Sequence, residues 1–180
     1  MIRAVHAEIL KLVTLPTLAV VTVLTWAATA LLRPVDPPGG VLAHSLAGFL
    51  VLGALAAGQE YQGGGQIRSS LLAVPRRTLL VVAKTVAWVV TAGPVVLVAA
   101  VLAGEPAGAA GLLLGVLAGA GVGTVVRHPV GAVGTLLLAY EIGLPLLRPH
   151  LPEIALDLPA WAWTSMIVLF AASVFIRREG

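Results

Sequence analysis

The chain has 180 residues, of which 59% are hydrophobic and 11% are charged, and its mean hydropathy is +1.02. A soluble domain carries about 25% charged residues, so this composition excludes a water-soluble fold and indicates an integral membrane protein. The chain has no cysteine, which excludes disulfides, thiolate metal sites and thiol catalysis. Its net charge of +3 comes from basic residues at the ends of apolar runs. Because these residues share no common face, nucleic acid is not expected as a partner.

Residues 1–13 have the pattern of an amphipathic helix. The apolar side carries Ile2, Val5, Ile9, Leu12 and Val13. The polar side carries Arg3, Glu8 and Lys11. A segment of this kind ahead of a membrane span is expected to lie in the headgroup plane. The alternative is a frayed, charged terminus.

Six apolar runs predict six transmembrane helices, because a span needs about 20 apolar residues. They cover about residues 15–32, 41–57, 79–103, 109–126, 129–147 and 159–176. The first run is longer than the core of a signal peptide, although cleavage after Ala28-Thr29-Ala30 is the alternative. Gly93-Pro94 predicts a kink in the third span. The predicted fold is therefore all-α, with residues 1–180 forming a single transmembrane domain.

The basic residues predict the orientation of these spans. With the N-terminus in the cytoplasm, nine of the eleven lysines and arginines lie inside, and only Arg33 and Arg148 lie outside. We therefore predict a multi-pass protein of the cell (plasma) membrane with both termini in the cytoplasm.

The longest polar interruption is the loop 58–78, which joins the second and third spans. Within it, residues 66–74 predict a short amphipathic helix, ended by Pro75. One face of this helix carries Ile67, Leu71 and Val74, while Arg68 projects elsewhere. We predict that the loop docks on another protein. The alternative is a solvated basic loop that follows only the charge rule.

Two further features fall inside the spans. Glycines recur every fourth residue in the fourth span, at Gly111, Gly115, Gly119 and Gly123. Such a stripe lets another helix approach closely, either from the same chain or from a second copy. Glu141 is the one acidic residue well inside a span, and it indicates either a translocation path or proton relay, or a position near the outer interface.

Several kinds of chemistry are not expected of this chain. Its only lysines, Lys11 and Lys84, follow leucine and alanine, so the P-loop that binds ATP is missing. None of the histidines, His6, His44, His128 and His150, has a second ligand at metal spacing on a shared helix face. No nucleophile-elbow pattern occurs either, so the chain is not expected to be an enzyme.

The polar loop resembles that of the permease subunits of type-2 ABC transporters. The matching residues are Glu60, Tyr61, Gly64, Leu71, Leu72, Pro75, Arg76, Arg77 and Lys84. Residues 7–12 also resemble the interfacial helix of that family, and the six-span layout matches the whole chain. The connection 148–158 departs from the family, because it is short for the paired half-helices found there.

The resemblance implies an exporting permease. The sequence predicts no large outer domain, and small apolar residues dominate the spans, so a hydrophobic or amphipathic substrate is expected. The resemblance implies a separate cytoplasmic ABC ATPase, which would bind ATP and magnesium, while this chain binds no cofactor. It also implies a second permease chain, as a homodimer or heterodimer, within the membrane lipid. The loop residues of the match, together with Arg68, would couple the permease to the ATPase.

Two other functions stay open from the sequence. A proton-coupled secondary transporter would use Glu141 and would need no ATPase. A non-transporting membrane anchor or regulatory subunit would need the loop but would tolerate changes in the spans.

Overall fold

A computed structural model of the chain describes residues 2–62, 77–150 and 160–178. Within those ranges the chain forms helices joined by short turns, with no strand. The helices are α1 (Ile2–Thr14), α2 (Pro16–Leu32), α3 (Pro38–Gln59), α4 (Arg77–Ala103), α5 (Ala109–Val126), α6 (Pro129–Leu147) and α7 (Ala160–Arg178).

Local sequence explains where several of these helices begin and end. Pro16, Pro38 and Pro129 each stand at the first position of a helix, where a missing N–H costs no hydrogen bond. The His128 side chain caps α6 by accepting a hydrogen bond from the Gly131 N–H at 3.1 Å. α4 ends at Ala103 and is followed by Gly104, whose φ of +85° is readily adopted only by a residue without a Cβ.

The turns at 33–37, 104–108 and 127–128 reverse the chain, so that the helices they join run in opposite directions through one bundle. The Gln59 end of the bundle also holds the start of α2, where the Thr17 hydroxyl donates to the Gln59 side chain at 2.9 Å. The core lies between α3, α4 and α5 and includes Phe49, Val96 and Val116, all at most 2% exposed. The Trp26 indole N–H joins α2 to α4 by donating to the Val95 carbonyl at 3.0 Å.

Four of the described helices are long and apolar enough to cross a membrane. They are Pro38–Gln59, Leu79–Ala103, Pro106–Val126 and Pro129–Leu147. The pair α1 and α2, bent by 63°, makes a fifth candidate if it is counted as one span. The chain is therefore an all-helical membrane protein with four or five candidate spans. Of the other two spans expected from the sequence, α2 has 17 residues, and α7 has 19 residues and contains the apolar stretch Ser165–Val174.

α1 agrees with the sequence prediction in part. Leu12 and Ile9 of the predicted apolar side pack into the core, and Leu12 is 4% exposed. Glu8 of the predicted polar side is also buried, at 6% exposed, whereas Ile2 and Val13 of the apolar side are 86% and 70% exposed. The reason is electrostatic: Glu8 and Lys11 meet opposite charges inside the bundle. Exposed apolar side chains have no such requirement in lipid, because lipid tails are as apolar as they are.

The third and fifth predicted spans agree closely with the structure in their bounds. α4 continues through Pro94 as one helix to Ala103. α6 covers the predicted range but contains a π-helical turn, Leu138–Gly143. The short helix predicted at 66–74 lies outside the described residues.

Candidate functional site

Four charged side chains meet at the Gln59 end of the bundle. Glu8 and Lys11 come from α1, Glu60 follows the last residue of α3, and Lys84 lies in the second turn of α4. We call these four residues the charge quartet. The two carboxylate residues are 6% and 7% exposed, and the two lysine side chains are 16% and 19% exposed.

The charge quartet is a closed ring of alternating charge. Lys11 Nζ lies 2.9 Å from a Glu60 oxygen and 3.7 Å from Glu8. Lys84 Nζ lies 3.4 Å from Glu8 and also contacts Glu60 directly. Each acid therefore touches both bases, and the ring as a whole carries no net charge. This balance is what makes the burial of four ionised groups tolerable.

The electrostatics of Glu60 follow from this arrangement. Burial raises the pKa of the Glu60 carboxyl, but the charges of Lys84 and Lys11 and their direct contacts oppose burial. The net effect places the pKa below its ordinary value of 4.5, so Glu60 is ionised at neutral pH.

A cation–π contact lies beside the charge quartet. The Arg127 guanidinium, at the end of α5, sits 5.2 Å from the centre of the Tyr61 ring. Arg127 adopts a left-handed backbone conformation, with φ of 59°, as the chain leaves α5. Residues 60 and 61 are thus held from two sides, by lysines on α1 and α4 and by an arginine on α5.

The structure divides the residues of the resembling loop into two groups. It brings Glu60 and Lys84 into one ion pair, and it places Tyr61 against Arg127. Arg77 is the first residue of α4. The others, Gly64, Arg68, Leu71, Leu72, Pro75 and Arg76, lie outside the described residues. The ring thus joins the two described ends of the loop.

Three of the four striped glycines lie against α3. A Cβ on Gly115 would meet the Leu46 side chain, one on Gly119 would meet the Leu50 carbonyl, and one on Gly123 would lie 2.6 Å from the Ala54 carbonyl. Gly111 has nothing within 4 Å of such a Cβ. The stripe therefore packs against a helix of its own chain.

Glu141 lies apart from the charge quartet, in the π-helical turn of α6, and its residue is exposed. The neighbouring Tyr140 hydroxyl donates to the Ala43 carbonyl, near the start of α3, at 3.1 Å. Glu141 therefore lies toward the end of the bundle opposite the charge quartet. α6 is also the least covered span: 6% of its most apolar stretch is buried, against 39–50% for the other three.

Sequence reasoning missed two members of the charge quartet and the cation over Tyr61. Glu8 and Lys11 were predicted only to lie on the polar side of an interfacial helix, although one signal for their pairing was available. The chain has only two lysines, and both lie near one predicted membrane surface together with Glu8 and Glu60. Across the described parts of the chain, no group of three His, Cys, Asp or Glu side chains is placed to hold a metal ion.

Comparisons with known proteins identify no relative of this chain. No family model matches the chain, and no curated protein or solved structure is significantly similar to it.

Proposed function

We propose that this chain is the membrane-spanning permease subunit of an ABC transporter. In this proposal it binds no nucleotide itself and is driven by a separate ATPase. In this proposal it has six spans and cytoplasmic termini, and it exports a hydrophobic or amphipathic substrate together with a second permease chain. The loop 58–78 is the coupling element, and ATP and magnesium bind to the partner subunit.

The observation that carries the proposal is the charge quartet. A loop transmits a push to the membrane only if both of its ends are fixed to helices that then move as a body. Glu60 and Lys84 flank the loop and contact each other, and both also contact α1. A loop with no mechanical role would need no buried ion pairs between the residues that flank it, because exposed charges alone satisfy the positive-inside rule.

Co-expression tests the proposal directly. The chain is co-expressed with a P-loop ATPase sought in the adjacent reading frame, and both co-purification and ATP hydrolysis are measured. Leu71→Asp is expected to abolish co-purification, since it places a charge in the apolar face of the predicted docking helix. The matched control is Val35→Asp, which changes an exposed apolar residue in the turn between α2 and α3. Equal binding by wild type and Leu71→Asp would contradict the proposal.

A second candidate function is favoured by one observation, the exposed carboxylate of Glu141 in a π-helical turn. π-turns inside helices often occur at functional sites, and ionisable residues within spans often carry protons. A proton-coupled transporter would take up or expel substrate in vesicles when a proton gradient is imposed, without any ATPase. Glu141→Gln would abolish that transport, whereas an ATP-driven permease would still need its partner.

A further inference from the structure

Two histidines at opposite ends of the bundle use the same ring atom in opposite ways. His128 Nδ1, at the start of α6, accepts a hydrogen bond from the Gly131 N–H at 3.1 Å. His44 Nδ1, in the second turn of α3, lies 2.8 Å from the Gly40 carbonyl oxygen, which can only accept. The neutral His128 ring therefore carries its hydrogen on Nε2, whereas the neutral His44 ring carries it on Nδ1.

A second proton affects the two rings differently. Both nitrogens of a charged imidazole carry hydrogen, so a charged His128 can no longer accept from the Gly131 N–H. Its charge would also lie at the N-terminus of α6, where the helix dipole favours negative groups. A charged His44 keeps its hydrogen bond to Gly40, and its Nδ1 is 3.9 Å from an oxygen of Asp36, which attracts the charge. Acid therefore removes the bond at His128 and preserves the bond at His44.

The turn that contains His128 also contacts the start of the loop 58–78. Pro129 packs so closely on α3 that a Cβ on Gly58 would lie 2.7 Å from the Pro129 Cα. On the other side of His128, the Arg127 guanidinium lies over the Tyr61 ring. Unwinding of the first turn of α6 would displace Pro129 and thereby loosen the contact with the end of α3.

The groups that share these two ends do not titrate in the same range as histidine. At the His128 end the packed helices and their adjoining turns bring together Glu60, Tyr61, Arg127, Lys84, His6, Glu8 and Lys11. At the His44 end they bring together Arg33, Asp36, Tyr140 and Glu141. Of these side-chain types only imidazole ordinarily changes its charge between about pH 5 and 8. His6 is therefore the one group at its end that must be separated from His128 in a test.

We propose that His128 is a proton-sensitive cap of α6. The side chain is exposed, so protons reach it from the aqueous phase. A second proton on its ring opens the first turn of α6 and loosens the contacts that Arg127 and Pro129 make with residues 58–61. The switch needs no ATPase, so it is tested on this chain alone and stands or falls separately from the transporter proposal.

Hydrogen exchange of the amides of residues 130–135 measures the opening of this turn. Wild type is compared at each pH with His128→Asn, whose side-chain oxygen caps a helix without titrating. Both proteins contain His6, and both have the same intrinsic exchange rate at a given pH, so the ratio isolates His128. The two are expected to exchange equally at about pH 8. At about pH 5.5 wild type is expected to exchange about fivefold faster, which corresponds to the loss of a cap of about 1 kcal/mol.

His44→Asn is the matched control at the opposite end of the bundle. Compared with it, the wild-type amides at the start of α3 should show no acceleration in acid, because a charged His44 keeps its hydrogen bond to Gly40. Equal acceleration at both ends would reveal a general effect of acid and would overturn the proposal. So would a ratio for residues 130–135 that stays the same from about pH 8 to 5.5.

The position of the ring hydrogen gives a second, independent measurement. Nitrogen-15 NMR of histidine-labelled protein distinguishes the two neutral tautomers at about pH 8, and the two asparagine variants assign the signals. We expect the hydrogen on Nε2 in His128 and on Nδ1 in His44. A hydrogen on Nδ1 of His128 would overturn the proposal, because that atom could not then accept from the Gly131 N–H.

Discussion

At the scale of single residues, the charge quartet allows the effect of removing one of its members on stability to be predicted. Removing one member leaves the ring with a net charge in a site that is mostly buried. Such uncompensated charges cost about 3–5 kcal/mol. Neutralising one acid and one base together leaves the balanced pair formed by Glu8 and Lys11.

We therefore expect Glu60→Gln to lower the free energy of unfolding in detergent by about 3–5 kcal/mol. The double variant Glu60→Gln/Lys84→Gln is expected to be more stable than Glu60→Gln alone, because it restores neutrality. Glu105→Gln, an exposed glutamate at the other end of the bundle, is the matched control and should have little effect. If the double variant were less stable than the single one, the ring would not be the unit of stability.

The lowered pKa of Glu60 also predicts how stability depends on pH. An acid whose pKa is depressed by folding stabilises the protein above its unfolded pKa, and this contribution is lost as pH falls through the folded pKa. The stability difference between wild type and Glu60→Gln should be constant down to about pH 5.5 and should shrink only below the ordinary pKa of 4.5. Thermal unfolding in buffers of falling pH measures it. A loss of the difference already between about pH 7 and 5.5 would contradict an ionised, paired Glu60.

At the scale of elements, α3 and α5 form the closest helix pair through glycine. The contact is reciprocal: a Cβ on Gly119 would overlap the Leu50 carbonyl of α3, and one on Gly53 would overlap the Val116 carbonyl of α5. Because backbone atoms occupy both positions, no rotamer change could relieve a clash. The pair is therefore the rigid centre against which α4, α6 and α7 pack.

Two glycines of the same helix provide a matched test of this packing. Gly119→Ala is expected to lower the free energy of unfolding by about 1–3 kcal/mol through overpacking. Gly111→Ala adds the same methyl group to open space and should change it by no more than about 0.5 kcal/mol. Thermal unfolding of the two variants in the same detergent compares them. Equal losses would show that the stripe matters for a reason other than its contact with α3.

At the scale of the whole molecule, the proposed orientation places the two ends of the bundle on opposite sides of the membrane. Because the chain has no cysteine, single cysteines can be introduced without altering any other residue. Gln62 lies at the end with the charge quartet, and Val35 lies in the turn between α2 and α3; both are exposed.

In intact cells we expect a membrane-impermeant maleimide to label Val35→Cys but not Gln62→Cys. Gln62→Cys should become reactive only after the membrane is permeabilised, because the positive-inside rule places that end in the cytoplasm. The reverse pattern would show that the orientation is inverted. The loop 58–78 would then lie outside the cell and could not contact a cytoplasmic ATPase.

Much of this architecture could be read from the amino-acid order alone. Membrane class, the positions of α4 and α6, and the starts of helices at Pro16 and Pro129 all depend on residues close together in the chain. Apolar runs and proline positions act locally, so a window of about 20 residues contains the information they carry.

The pairing of charges could not be read in this way. Glu8 and Lys84 are 76 residues apart, and nothing near either one indicates that α1 turns Glu8 toward the bundle. Helical periodicity separates polar from apolar residues, but it does not say whether the polar side meets water or an opposite charge. That choice depends on which groups the folded helices bring within about 4 Å of each other, since the strength of an ion pair is set by distance and by exclusion of solvent.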